Sequence, residues 1–128
     1  MPKENCQRAF KTAWFAKAAQ RARISDAVLC KAIVQVMAGQ ADDLGGGVYK
    51  KRLSNNQYRS IILARGGDFW VYQYLFAKQD RANIDESELN ILRAASKQYA
   101  NLSDVQINQQ VANGKLLELD ITDPDTRK

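Results

Sequence analysis

Residues 45–83, GGGVYKKRLSNNQYRSIILARGGDFWVYQYLFAKQDRAN, decide the fold of this chain. Three runs within this stretch, at 48–53, 58–65 and 69–76, are rich in the β-branched and aromatic residues that favour strands. Short breaks of Ser, Asn, Gln, Gly and Asp separate them, which favours tight turns between antiparallel neighbours. The stretch also holds seven basic and two acidic residues. It therefore predicts a basic, three-stranded meander.

Three helix starts with one shared pattern flank this meander. In each, an apolar residue precedes a capping residue and a second apolar residue follows it; the caps are Ser25, Asp85 and Ser103. Glu88 and Gln106 stand three residues after the last two caps and complete capping boxes. We therefore expect three well-defined helices, one before the strands and two after them.

The remaining segments complete an α+β architecture. An alanine-rich, basic helix is expected at 13–23, with Trp14 in the core, and the apolar run 116–121 predicts a late strand at the sheet edge. We predict an antiparallel sheet of three to five strands, with helices packed on one face and an open basic face. Residues 1–128 are expected to form one domain, with its core at about 10–99 and a C-terminal helix and possible strand extension at 100–128.

Composition and charge restrict the function. The net charge of +5 is concentrated in the first 23 residues and in the meander, which favours nucleic acid or another polyanion as the partner. The chain has no histidine and its two cysteines form no ligand motif, so we expect no metal and no cofactor. No apolar run approaches the roughly 20 residues of a membrane span, and residues 1–10 lack the apolar region of a secretory signal. We expect a cytoplasmic protein that does not contact membranes.

Two motifs resemble the RelE/ParE toxin superfamily. In that family a strand ends in Lys-x-Lys/Arg, Tyr-Arg opens the next strand, and the third strand ends in Gly-Lys followed by basic residues. This chain has VYKKRLSNNQYR at 48–59 and FAKQDRANI at 76–84. Together with LGGG at 44–47, these motifs are similar to the RelE-like branch often grouped with HigB. The resemblance covers roughly residues 10–99 and implies a RelE-like fold.

The resemblance also implies an activity and partners. Its members are toxins of type II toxin–antitoxin systems, and they inhibit translation as metal-independent endoribonucleases that cleave mRNA, usually on the ribosome. The implied partners are mRNA, the ribosome and a cognate antitoxin with a helix-turn-helix DNA-binding domain. The alternative is a non-catalytic binder with the same fold, either a ParE-like gyrase inhibitor or an inactive toxin that retains antitoxin binding.

The motif positions imply the site residues. The catalytic set is Lys50, Arg52, Arg59, Lys78 and Arg81, and the RNA-binding set is Lys51, Tyr58 and Tyr74. Lys50 and Arg52 are two residues apart and share one strand face. Arg59 corresponds to the arginine that stabilises the transition state, because its planar fork can hold two phosphoryl oxygens. Without histidine, Lys50 is the candidate base, since crowded cations disfavour the charged form of a lysine.

The chain departs from the family pattern at two positions. Gln79 stands where RelE relatives have an arginine, and Asp85 stands where they have a tyrosine that stacks on or activates the substrate. Three other tyrosines are candidates for that role: Tyr58, Tyr72 and Tyr74.

Purely structural roles are the alternatives for the basic residues. Arg59 is a candidate for an ion pair with Asp68 or Asp80, and the other cations are candidates for solvated side chains. Lys51 faces away from Lys50, so we expect it to meet the core and extend to an edge.

Overall fold

A computed structural model describes residues 7–65, 69–81 and 83–121. The predicted break at 66–68 lies outside the described residues. The elements are, in chain order, β1 Arg8–Thr12, α1 Ala13–Arg21, α2 Asp26–Met37, β2 Asp42–Gly45, β3 Val48–Leu53, β4 Tyr58–Arg65, β5 Phe69–Ala77, α3 Glu86–Ala100, α4 Asp104–Ala112 and β6 Leu116–Leu119.

The strands form one mixed sheet in the order β2-β3-β4-β5-β1-β6. The predicted meander is its centre, with β3, β4 and β5 antiparallel to one another. The predicted late strand is β6, which lies at the sheet edge and pairs with β1. Two short strands were not predicted: β1, which is parallel to β5, and β2, which extends the opposite edge. The sheet therefore has six strands, one more than the upper expectation.

The α+β class is confirmed, and the structure corrects two further details of it. The sheet is mixed and not antiparallel throughout, because β1 runs parallel to β5, and helices pack on both of its faces. Helices α1 and α2 bury Phe15 and Leu29 against one face, in a cluster that includes Tyr72. On the other face, Val48 and Leu63 belong to a second cluster that is covered by apolar residues of α3. The open basic region is therefore the part of this second face that α3 leaves uncovered.

Local hydrogen bonds confirm the predicted helix starts. The side chains of Ser25, Asp85 and Ser103 each accept a hydrogen bond from the backbone N–H three residues later, and both capping boxes are complete. Helix α2 ends at Met37, just before the predicted stop at Gly39. No helix in the described ranges combines the length and the apolar character that a membrane crossing requires.

Trp14 contradicts the prediction that it is a core residue. The ring is 51% exposed, while Phe15 and Ala19 form the buried side of α1. Thr12 ends β1 and caps α1 at once, so the helix starts directly at the end of a strand and turns Phe15, not Trp14, towards the core. The Trp14 ring stacks there on Tyr74, with 5.2 Å between ring centroids.

A β-bulge in β5 decides which tyrosine faces which way. Ile61 pairs with Tyr74 and Ile62 pairs with Tyr72, so Gln73 is an extra residue in β5. Such an insertion reverses the side-chain alternation beyond it. Tyr72 consequently lies in the α1–α2 cluster, whereas Tyr74 lies on the α3 face.

The Gly-rich turn between β2 and β3 lets α3 approach the sheet. Arg93 of α3 donates to the backbone carbonyl of Leu44, and Ser96 donates to Ala64 O at 3.1 Å. Gly47 has a φ of +85°, and a side chain there would overlap the Ser96 hydroxyl. The LGGG motif therefore fixes α3 over one end of the sheet, which leaves the other end open.

Candidate functional site

Two arginines face each other across the open end of the sheet. Arg52 of β3 is the direct cross-strand partner of Arg59 of β4, and Arg59 lies opposite Phe76 of β5. Directly opposite side chains project from the same sheet face with Cβ atoms about 5 Å apart, and like charges placed in this way repel each other. An anion held between the two guanidinium groups would remove this repulsion.

Arg59 is held by the turn that precedes it. The residue is only 8% exposed, and its Nη1 donates to Asn56 O at 3.0 Å and to Tyr58 O at 3.4 Å. These bonds brace a turn in which Asn56 has a φ of +74°. Within the described residues Arg59 thus bonds to carbonyls and not to Asp80; the other proposed partner, Asp68, lies outside them. Its remaining N–H donors are suited to a substrate.

Lys50 lies on the same face of the sheet as Arg52, two residues before it in β3. Its Nζ donates to Asn83 Oδ1 at 3.4 Å and lies 3.9 Å from Asp42 Oδ2. Its side chain is only 14% exposed, so it is held rather than freely solvated. The hypothesis that Lys50 is a base assumed that only cations surround it. The Asp42 carboxylate shows that its surroundings are mixed.

Arg81 is tied to the start of α3. Its guanidinium forms a two-pronged ion pair with Glu88, and its Nε donates to Asn83 O at 3.0 Å. The hydrogen bonds from Arg81 lower the pKa of the Glu88 carboxyl to about 2, and the same pairing raises the pKa of Arg81. The guanidinium lies 5.3 Å from the centre of the Phe76 ring. Arg81 therefore borders the site with most of its charge already paired.

Lys78 lies at the end of β5 beside the turn that carries Arg59. Its backbone N–H donates to Gln57 O at 2.8 Å, and its side chain is exposed. A cavity of about 430 Å³ opens here, lined by Asn56, Tyr58, Lys78 and Gln79 among others. Gln79, the residue that replaces a family arginine, is thus at the site and leaves it with one cation fewer.

Two of the predicted RNA-binding residues lie on the opposite face. Lys51 donates through Nζ to Gln40 O at 3.0 Å, as expected for a lysine that extends over the core to an edge. Tyr58 packs against the α1–α2 cluster and also lines the cavity beside Lys78. The third residue, Tyr74, lies on the site face as the cross-strand partner of Ile61.

Tyr72 is not available for substrate. The residue is fully buried, and its hydroxyl donates to Leu29 O at 2.8 Å. Burial raises the pKa of its phenol well above the ordinary value. Asp85, at the family's tyrosine position, is the α3 cap as predicted.

Sequence reasoning missed three neighbours of the site. Asn83 bonds both Lys50 and Arg81, Asp42 lies next to Lys50, and Trp14 stacks on Tyr74. Asn83 falls inside the quoted FAKQDRANI motif, which was the available signal. Asp42 is the cross-strand partner of Lys50 in the β2–β3 pair, and β2 was not predicted. Trp14 comes from a distant segment, so no local pattern indicates it.

The arrangement is suited to a phosphodiester. Three cations on one face, Lys50, Arg52 and Arg59, can neutralise phosphoryl oxygens, and the guanidinium forks can do so through two oxygens at once. Phe76 and Tyr74 supply an aromatic floor beside them. The fold and this surface therefore define a small α+β protein with a candidate anion-binding site on its sheet.

A comparison with protein families identifies the class more closely. Residues 7–119 match the family described as the RelE toxin of the RelE / RelB toxin-antitoxin system, so the chain belongs to that family. This confirms the resemblance drawn from the motifs, and membership implies an antitoxin as partner. No curated protein and no solved structure matches the chain significantly.

Proposed function

We propose that this toxin is an endoribonuclease that cleaves mRNA on the ribosome without a metal, inhibits translation, and is neutralised by an antitoxin with a helix-turn-helix domain. The observation that carries this proposal is the opposed pair Arg52 and Arg59. Facing arginines destabilise a sheet in the absence of a ligand, and a transition state with extra negative charge on phosphorus is a ligand that they fit.

The chemistry requires charge neutralisation and two proton movements. The ribose 2′-hydroxyl loses its proton to a base as its oxygen attacks the adjacent phosphorus. The 5′-oxygen takes up a proton from water as its bond to phosphorus breaks, so a 2′,3′-cyclic phosphate and a 5′-hydroxyl result. Arg52 and Arg59 stabilise the phosphoryl oxygens, and Lys78 binds the strand at the edge of the site. Lys50, oriented by Asn83, is the group placed for proton transfer. Arg81 mainly holds the segment that orients Lys50, because it shares Asn83 with that lysine.

Arg52→Ala is the test variant, because Arg52 is exposed and its removal leaves the bonds of the turn intact. The toxin is induced in cells, and new mRNA 5′ ends are mapped for wild type and for Arg52→Ala. The matched control is Lys31→Ala, which changes an exposed basic residue of α2. Loss of one phosphoryl contact lowers cleavage about 10²- to 10³-fold. We expect in-frame cuts with wild type and the control and very few with Arg52→Ala.

Three outcomes would contradict the proposal. Undiminished cleavage by Arg52→Ala would remove the role of the arginine pair. Altered plasmid supercoiling with intact mRNA would favour the alternative, a ParE-like gyrase inhibitor, and growth arrest with neither effect would favour a toxin that only binds.

A further inference from the structure

Trp14 presents an exposed aromatic surface next to the site. The residue is 51% exposed even though Tyr74 covers one side of its ring. The backbone that carries it is anchored, because Thr12 caps the helix at this point by accepting a hydrogen bond from Phe15 N at 3.0 Å. An indole that packs on one side against a neighbouring ring can stack on a ligand with its exposed side.

The Trp14 ring opens onto a groove that leads to the cations. Between α1 and the end of β5 lies a cavity of about 450 Å³, within the size range of ligand sites. Its lining includes Trp14, Arg21, Tyr58, Gln79 and Asp80. Tyr58 and Gln79 also line the cavity beside Lys78, so the groove consists of two adjoining cavities.

The distance from Trp14 to the reacting position is short. The ring centroids of Trp14 and Tyr74 are 5.2 Å apart, and those of Tyr74 and Phe76 are 5.8 Å apart. Phe76 is the cross-strand partner of Arg59. A strand whose phosphate lies at Arg59 can therefore reach Trp14 with a nearby nucleotide.

The groove also offers hydrogen-bonding groups. Pairing of β5 with β1 reaches only as far as Tyr72, so in the described part of the chain the edge of β5 from Tyr74 onward faces α1 and not another strand. Unpaired peptide groups on such an edge can bond to the edge of a ligand. Arg21 adds donors and Asp80 adds an acceptor.

We propose that Trp14 is the stacking platform for one unpaired base of the RNA strand beside the scissile phosphate. The proposal rests on the proposed function and extends it with a base-binding subsite. Single-stranded RNA fits better than a peptide strand, because the groove combines an open aromatic face with three basic residues in its lining, Arg21, Lys78 and Arg81. Stacking of this kind accepts any base, since every base has a π-face.

The test measures RNA binding and Trp14 fluorescence with uncleaved RNA. A 2′-O-methyl oligonucleotide is used, because it lacks the hydroxyl that attacks phosphorus. Binding is measured by fluorescence anisotropy for wild type, Trp14→Ala, Trp14→Phe and Val34→Ala, the last being a control at a 44% exposed apolar position on α2. For the fluorescence measurement, Trp70→Phe leaves Trp14 as the only tryptophan; Trp70 is 6% exposed and its Nε1 bonds to nothing in the described ranges.

We expect Trp14→Ala to weaken binding about 5- to 150-fold, the range of one stacked base. Trp14→Phe should stay within about threefold of wild type because it keeps an aromatic face. RNA should quench Trp14 in the Trp70→Phe variant. Thermal unfolding establishes that each variant is folded.

Unchanged RNA affinity of Trp14→Ala, or no quenching of Trp14, would overturn the subsite. A lack of oligonucleotide binding by wild type would also overturn it. If Trp14→Ala instead lost affinity only for the antitoxin, the groove would belong to the protein partner and the inference would be wrong. Mapped mRNA ends separate the two proposals. If mRNA is cut but Trp14→Ala binds RNA as wild type does, only the base-binding subsite is refuted. If Trp14→Ala weakens RNA binding but wild type cuts no mRNA, only the proposed endoribonuclease activity is refuted.

Discussion

Replacement of Gly47 by alanine tests how the glycine-rich turn positions α3. Gly47 has a φ of +85°, and a Cβ there would overlap Ser96 Oγ and lie 3.0 Å from Ala64 O. Ser96 is only 3% exposed and cannot move into solvent. Alanine in the left-handed region costs about 1–2 kcal/mol, and overpacking a buried contact adds about 1–3 kcal/mol. We therefore expect Gly47→Ala to lower the free energy of unfolding by about 2–5 kcal/mol.

The chain offers a matched control for the backbone contribution. Gly39 has a φ of +92°, but a Cβ there would meet nothing within 4 Å. Gly39→Ala should therefore cost only the conformational part, about 1–2 kcal/mol. Both free energies come from equilibrium unfolding in urea, with the midpoint and the slope fitted for each variant.

A double-mutant cycle isolates the contact with α3. Ser96→Ala removes the hydroxyl that a Cβ at Gly47 would strike, so Gly47→Ala should cost about 1–3 kcal/mol less in that background. Equal costs for Gly47→Ala and Gly39→Ala, or no coupling between Gly47 and Ser96, would refute the view that close packing of α3 requires the glycine.

The remaining predictions concern Lys50 and Glu88. If Lys50 transfers a proton, Lys50→Arg should reduce cleavage about as much as Lys50→Met, by roughly 10²- to 10⁴-fold. The reason is that arginine keeps the positive charge but does not release its proton. Full activity of Lys50→Arg would instead assign Lys50 a purely electrostatic role. Arg81 lowers the pKa of Glu88 from an ordinary 4.5 to about 2, so the stabilisation by Glu88 is complete above about pH 5 and is lost as the pH falls towards 2. Urea midpoints of wild type should therefore exceed those of Glu88→Gln at pH 6 and converge with them near pH 2; a constant gap would contradict the assignment.

Elements that depend on neighbouring residues were predictable from the sequence. Each helix start is set by a cap that bonds to a backbone group three residues away, as for Asp85 and Glu88. The meander follows from the short turn after Leu53 and from alternating side chains along the strands. The Lys50, Arg52 and Arg59 motif identified the family, and parity placed Lys50 and Arg52 on one strand face. The register of β3 with β4 then brings Arg59 opposite Arg52.

The tertiary structure decided how these parts meet. The bulge at Gln73 turns Tyr74 towards the cations and Tyr72 into the core, although neither residue differs from its neighbours in local pattern. The position of β1 between β5 and β6 depends on pairing across more than a hundred residues of chain, from Ala9 to Leu119, and it leaves Trp14 outside the core. Local hydrogen bonds and side-chain periodicity thus determined the helices, the central strands and the identity of the cations. Long-range pairing and packing determined which aromatic groups surround those cations, because such contacts depend on register and not on adjacent residues.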